Sequence, residues 1–170
     1  MTDLLLLACS KRKRHTAGLL PAFQRYDGGA FRVVKRAQRE EYAPQDLAIL
    51  ILSAKYGLIP AECLIEDYDQ LMSSDRARDL CEEVGDRLDD ELGQLRPRAV
   101  FVSLDQLYLQ AISTSIALKQ LEQAGLVQCA RGRPGERQAQ LRTWLWERGG
   151  GLVGPASCNR GEADDRTGAR

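Results

Sequence analysis

Histidine is nearly absent from this chain of 170 residues: His15 is the only one. Triads and metal sites that need several imidazoles are excluded, and His15, directly after Arg14, is expected at the surface or against a phosphate. The five cysteines, Cys9, Cys63, Cys81, Cys129 and Cys158, are scattered and form no CxxC pair. Neither a disulfide framework nor a zinc site follows, and most of these thiols are expected to be buried and reduced. Long apolar runs are missing as well. Leu4 to Cys9 and Leu47 to Leu52 fall far below the roughly 20 residues that cross a bilayer. Asp3 precedes the first run and a basic cluster follows it, the reverse of a secretory signal, so a cytoplasmic address without membrane contact is expected. After that run there is also no P-loop or dinucleotide-binding glycine pattern, which argues against nucleoside triphosphates and NAD.

What is present suits one globular domain. The chain is 44% hydrophobic and 28% charged, enough for a core over residues 1–148. From Gly149-Gly150-Gly151 through Gly154-Pro155 large apolar side chains almost vanish, and residues 149–170 are expected to be a disordered tail. The net charge of +0 conceals three blocks of opposite sign. Residues 1–42 hold nine Lys/Arg against four Asp/Glu, residues 62–92 hold three arginines against twelve acids, and residues 131–148 hold five arginines against two glutamates. Such blocks are either solvated faces or a groove for a polyanion.

Leu4 to Ala8, Leu47 to Leu52 and Ala99 to Ser103 are short apolar runs without polar alternation, the pattern of strands buried on both faces; Leu126 to Cys129 adds a weaker fourth. Helical periodicity lies between and after them, over Ala30 to Tyr42, Ser74 to Leu95, Asp105 to Ala124 and Gly135 to Glu147. In the second, Ala77, Leu80, Cys81, Val84, Leu88, Leu92 and Leu95 recur at steps of three and four, with Ser73 or Ser74 as N-cap. Strands alternating with helices predict a three-layer α/β/α sandwich around a mostly parallel four-stranded sheet. Ligands in such sheets bind outside the carboxyl ends of the strands. That rule gathers Cys9 to Lys13, Ser53 to Tyr56 and Ser103 to Asp105 at one rim.

Four segments carry candidate chemistry. Ser53-Ala54-Lys55-Tyr56-Gly57 brings a hydroxyl, an ammonium and a phenol to the rim before a hairpin-bending glycine. Cys9-Ser10-Lys11-Arg12-Lys13-Arg14 delivers a hydroxyl and four cations, suited to a nucleic-acid backbone, and Cys9 is the one thiol whose surroundings favour reactivity. Phe23, Arg25, Tyr26, Phe31 and Arg32 mix aromatic faces with cations, as base stacking requires, although Phe23 and Phe31 also suit a core. Glu66-Asp67-Tyr68-Asp69 is either turn chemistry or a source of a general base. The Gly-rich turn Arg131 to Gly135 reads as an anion site or a helix-capping loop.

Cys9-Ser10-x-x-Lys13, Tyr26-x-Gly28-x-x-Phe31-Arg32, Leu52-Ser53-Ala54-Lys55-Tyr56-Gly57-Leu58 and Tyr68-Asp69 together resemble the DUF6884 family over residues 4 to 147. That family is similar to the uracil-DNA-glycosylase-like group, which includes a domain of archaeosine synthase and, more distantly, the DNA-binding YaaA proteins. The resemblance implies nucleobase or nucleic-acid chemistry, most simply with DNA.

The expectation that follows is a glycosylase acting on a modified base in DNA. Asp69 or Asp67 would stabilise an oxocarbenium ion or activate water, without metal or cofactor. Cys9, Ser10, Lys13, Tyr26, Phe31, Arg32, Ser53, Lys55, Tyr56 and Tyr68 would bind the substrate. A 7-deazaguanine-type transferase using Cys9 or Lys13, and a non-enzymatic DNA-binding module, are the alternatives.

Overall fold

A computed structural model describes residues 1–150. The expected tail, beyond Gly150, lies outside the described residues. In chain order the elements are β1 (Asp3–Ala8), β2 (Leu20–Pro21), α1 (Ala22–Arg25), α2 (Gly29–Arg39), β3 (Leu47–Ser53), β4 (Gly57–Pro60), β5 (Leu64–Ile65), α3 (Ser74–Leu95), β6 (Ala99–Ser103), α4 (Gln106–Ala111), α5 (Ile116–Gln123), β7 (Val127–Cys129) and α6 (Pro134–Arg148).

The architecture is α/β. Its main sheet has five strands in the order β4-β3-β1-β6-β7, and β2 pairs separately with β5. The four expected strands, β3, β1, β6 and β7, are parallel to one another. The fifth, β4, folds back antiparallel to β3 with Ser53 opposite Gly57. The sheet is therefore mixed and five-stranded, where a mostly parallel four-stranded one is expected from the sequence. The difference arises at Gly57, whose φ of +68 closes a tight turn that few other residues tolerate.

Alternation along each strand feeds two cores. Leu4, Leu6, Leu50, Leu52, Val100 and Val102 face one side, against α3, α4 and α5. Leu5, Leu7, Ile49, Ile51, Ala99 and Phe101 face the other, against α1, α2 and α6. Burial on both faces explains why these strands show no polar alternation.

One expected helix is broken. Residues 105–124 form α4 and α5, separated by a turn at Ile112 to Ser115. Hydroxyl side chains there compete for backbone groups: Thr114 donates to the Cys81 carbonyl at 2.7 Å, and Ser115 caps α5 by accepting from the Leu118 amide. Gly85 in α3 makes room, because a Cβ there would lie 2.0 Å from Thr114 Oγ1.

At the amino end of the sheet, buried Asp3 receives both nitrogens of the Arg98 fork, at 3.0 and 2.7 Å. Arg148 of α6 stands 3.9 Å from the same carboxylate. Replacing Arg98 by Met leaves a buried carboxylate with only that distant partner. We expect a loss of roughly 2 kcal/mol in urea unfolding, below the range for fully buried pairs because the Arg98 side chain is 40% exposed.

Candidate functional site

The strand order places a topological switch point, a crevice in the topological sense, between β1 and β6. The chain leaving β1 turns toward the α2 face, and the chain leaving β6 enters α4 on the other face. Such a switch point is where open α/β sheets hold ligands. Cys9 and Tyr108 meet across it, with Sγ and Oη 3.0 Å apart.

The segment after β1 is held as an irregular strand. The Arg14 amide donates to the Arg25 carbonyl, Lys13 pairs with Tyr26, and the Asp27 amide donates to the Arg12 carbonyl. Ser10 completes the ladder: its Oγ accepts from the Gly28 amide at 3.1 Å and donates to the Arg12 carbonyl at 2.6 Å. Gly28 is needed for this approach, because a Cβ there would lie 2.6 Å from Ser10 Cβ. Arg25, fully buried, fixes the far end by donating to the carbonyls of Arg14, Thr16 and Gly18. The Cys-Ser-x-x-Lys and Tyr-x-Gly motifs are thus two sides of one paired structure.

A hydroxyl chain runs beside the crevice. Ser53 Oγ accepts from the amides of Lys55 and Tyr56 at 3.2 and 3.1 Å, which fills both lone pairs. Its proton therefore goes to Tyr68 Oη, at 2.8 Å. Tyr68 in turn donates to Tyr26 Oη at 2.5 Å. The Tyr26 proton is left without an oxygen acceptor among the described residues. Burial pushes the Tyr26 phenol up to about 12, and raises Tyr68 and Tyr108 still further. All three stay neutral donors at physiological pH.

Two ammonium groups approach the same ring. Lys13 Nζ lies 4.4 Å from the centroid of Tyr68 and 5.9 Å from that of Tyr26. Lys55 Nζ lies 5.5 Å from Tyr68 and 5.1 Å from Tyr56. Tyr56 and Tyr68 meet edge to face at 5.4 Å. The site thus has a surplus of donors over acceptors.

The remaining expected residues divide. Phe31 is buried between Phe23 and Tyr26, with centroids at 6.0 and 5.3 Å, and belongs to the core. Arg32 is exposed and paired with Asp27 at 2.9 Å; its hydrogen bond holds the Asp27 carboxyl below its ordinary value. Asp67 pairs with His15 at 2.7 Å, and that hydrogen bond likewise lowers its carboxyl. Asp69 is exposed and forms no ion pair or hydrogen bond among the described residues. The Arg131 to Gly135 turn is a capping loop, in which Glu136 accepts from the Arg133 amide.

Tyr108 is a neighbour of the site that the motifs do not single out, and Arg25, read as a stacking-site cation, is instead spent on loop carbonyls. Tyr108 lies three residues after Asp105, which caps α4 by accepting the Tyr108 amide, so the capping residue at the rim is the signal that points to it. Among the described residues no group of three His, Cys, Asp or Glu is arranged to hold a metal. No helix among them is long and apolar enough to cross a membrane.

Fold and site together define an α/β protein with a donor-rich, basic crevice at the carboxyl rim of its parallel strands. The chain belongs to DUF6884, a family of unknown function, whose model matches residues 4–142. No curated protein matches it.

Tyr26 gives a pH test. Its folded value near 12 exceeds the ordinary 10.0, so the neutral phenol contributes stability below pH 10 that is lost as pH rises toward 12. Tyr26→Phe is expected to be about 1 kcal/mol less stable at neutral pH, and to lose less stability than the wild type between pH 10 and 12 in denaturant titrations.

Proposed function

We propose that this protein is a nucleic-acid base-processing enzyme of the DNA glycosylase type, hydrolysing the N-glycosidic bond of a modified base. The observation that carries the reading is the cluster of side chains at this rim. It joins buried or half-buried neutral donors (Tyr26, Tyr68, Tyr108) to two cations, Lys13 and Lys55, that form no ion pair among the described residues, with a carboxylate, Asp69, that is likewise without a partner among them and follows Tyr68 in the chain. The resemblance to uracil-DNA-glycosylase-like proteins supports the same reading, and would make this α/β fold a member of that group of α/β/α sandwiches. If the target is a modified base of phage DNA, the setting is antiviral defence.

In this reading a base leaves the stack and enters the rim. As the C–N bond breaks, its electron pair goes to the base and positive charge develops on the sugar. Asp69 stabilises that charge and accepts the proton of the attacking water, whose oxygen bonds to the anomeric carbon. Asp67 is already committed to His15, which leaves Asp69 as the carboxylate for this role. Lys11, Arg12 and Arg14, all exposed, meet the DNA backbone. No metal or cofactor takes part in these steps.

One observation favours a second reading. Cys9 stands at the centre of the crevice against Tyr108, where a thiol can engage an electrophilic base, as in a 7-deazaguanine-type transferase acting on tRNA. Iodoacetamide labelling of Cys9 that leaves turnover intact counts against it.

The test incubates the protein with plain DNA, base-modified DNA and tRNA, and measures released base and alkali-labile sites. The expected result is release from a modified DNA, with Asp69→Asn lowering turnover by about 100-fold or more while binding persists. Absence of release on every substrate overturns the glycosylase reading and leaves the transferase and the non-enzymatic DNA-binding role.

A further inference from the structure

We infer that Lys13 and Lys55 form a phosphate-binding site astride Tyr68, built for the phosphate of a nucleotide that has left the duplex. Lys13 is the unusual member. It is only 8% exposed, yet among the described residues its ammonium has no carboxylate, carbonyl or hydroxyl partner and rests only on the rings of Tyr68 and Tyr26. The stem is packed away while the ammonium stays accessible, since Nζ is not among the buried polar atoms that lack a partner; aromatic faces hold it in place and leave its charge open to an anion. Lys55 brings a second positive charge to the same ring.

The nearby acids do not neutralise this pair. Asp27 is engaged by Arg12 and Arg32, Asp67 by His15, and Asp69 contacts neither lysine. Ser10 is not a free phosphate donor either, since its hydroxyl is consumed by the Arg12 carbonyl and the Gly28 amide. What remains is a concentration of donors whose missing complement is an acceptor-rich anion. A phosphate carries charge and several acceptor oxygens together, and lysine binds it as a point charge.

Depth separates this site from ordinary backbone contact. A duplex presents its phosphates on a convex surface and reaches exposed cations such as Lys11 and Arg12. A single strand, a strand end or a free nucleotide can bring a phosphate to an ammonium whose side chain is largely packed away. The inference rests on the proposed nucleic-acid reading of this rim. Its test reads binding alone, so base release can fail while the site stands, and the site can fail while base release stands.

The experiment compares a nucleoside 5′-monophosphate with its nucleoside by thermal shift, and a short single strand with the matching duplex by anisotropy across a salt series. The nucleotide is expected to raise the melting temperature and the nucleoside to leave it unchanged. Lys13→Met and Lys55→Met should each weaken single-strand binding about 5-fold or more at low salt, and flatten the salt slope by about 0.7. Duplex binding should respond to Lys55→Met more than to Lys13→Met. Response to the mononucleotide but not the single strand makes free nucleotides the source of the phosphate; response to both makes it the strand. Equal stabilisation by nucleoside and nucleotide overturns the inference, as does single-strand binding unchanged in Lys55→Met. The second variant alters an exposed side chain and keeps the fold even if Lys13→Met does not.

Discussion

The antiparallel pairing of residues 10–14 with residues 25–28 is the constraint on which the site depends. It turns a run of four cations, which would otherwise repel one another into solvent, into a paired segment in which one side chain is singled out. Lys13 is driven inward against Tyr26 and Tyr68, while Lys11, Arg12 and Arg14 stay outside. Arg25 makes the arrangement rigid by spending its guanidinium on the carbonyls of the same loop.

The second determinant is the sense of the hydroxyl chain. Two backbone amides fill the acceptor capacity of Ser53, and this local turn orients protons through Tyr68 to Tyr26. Tight β3-to-β4 reversal, made possible by Gly57, therefore does more than add an edge strand. It sets the polarity of a buried network facing the crevice. The same turn is tied to Gln70 of the following loop and to Arg76 of α3, which both donate to the Ala54 carbonyl, so Tyr68 and Asp69 are carried by an anchored segment.

Much of this was legible in the sequence, for identifiable reasons. Strands β1, β3 and β6 are continuous apolar runs because both their faces are covered, and α3 is marked by its apolar period and its Ser73 cap. Strand β4 was hidden because only four residues, Gly57–Pro60, follow the hairpin-bending turn, and the two-residue strands β2 and β5 are too short to carry any period. The break between α4 and α5 depends on Thr114 fitting against Gly85, a tertiary fact. In the site, the strand-end rule located Cys9, Lys13, Ser53, Lys55 and Tyr56 correctly at one rim. It did not reveal that Phe31 is spent on the core, that Asp67 is taken by His15, or that Tyr108 completes the crevice from the opposite face. Each of those depends on partners distant in the chain.

The central claim is that nucleic acid docks on this rim with an unpaired nucleotide entering beside Lys13 and Tyr68. Photocrosslinking a single-stranded oligonucleotide to the protein, followed by mass-spectrometric mapping of the crosslinked peptides, tests it most directly. The account predicts crosslinks within residues 9–14, 53–56 and 66–70. Crosslinks confined to the opposite end of the sheet, around Asp46, Arg98 and Arg148, would contradict it.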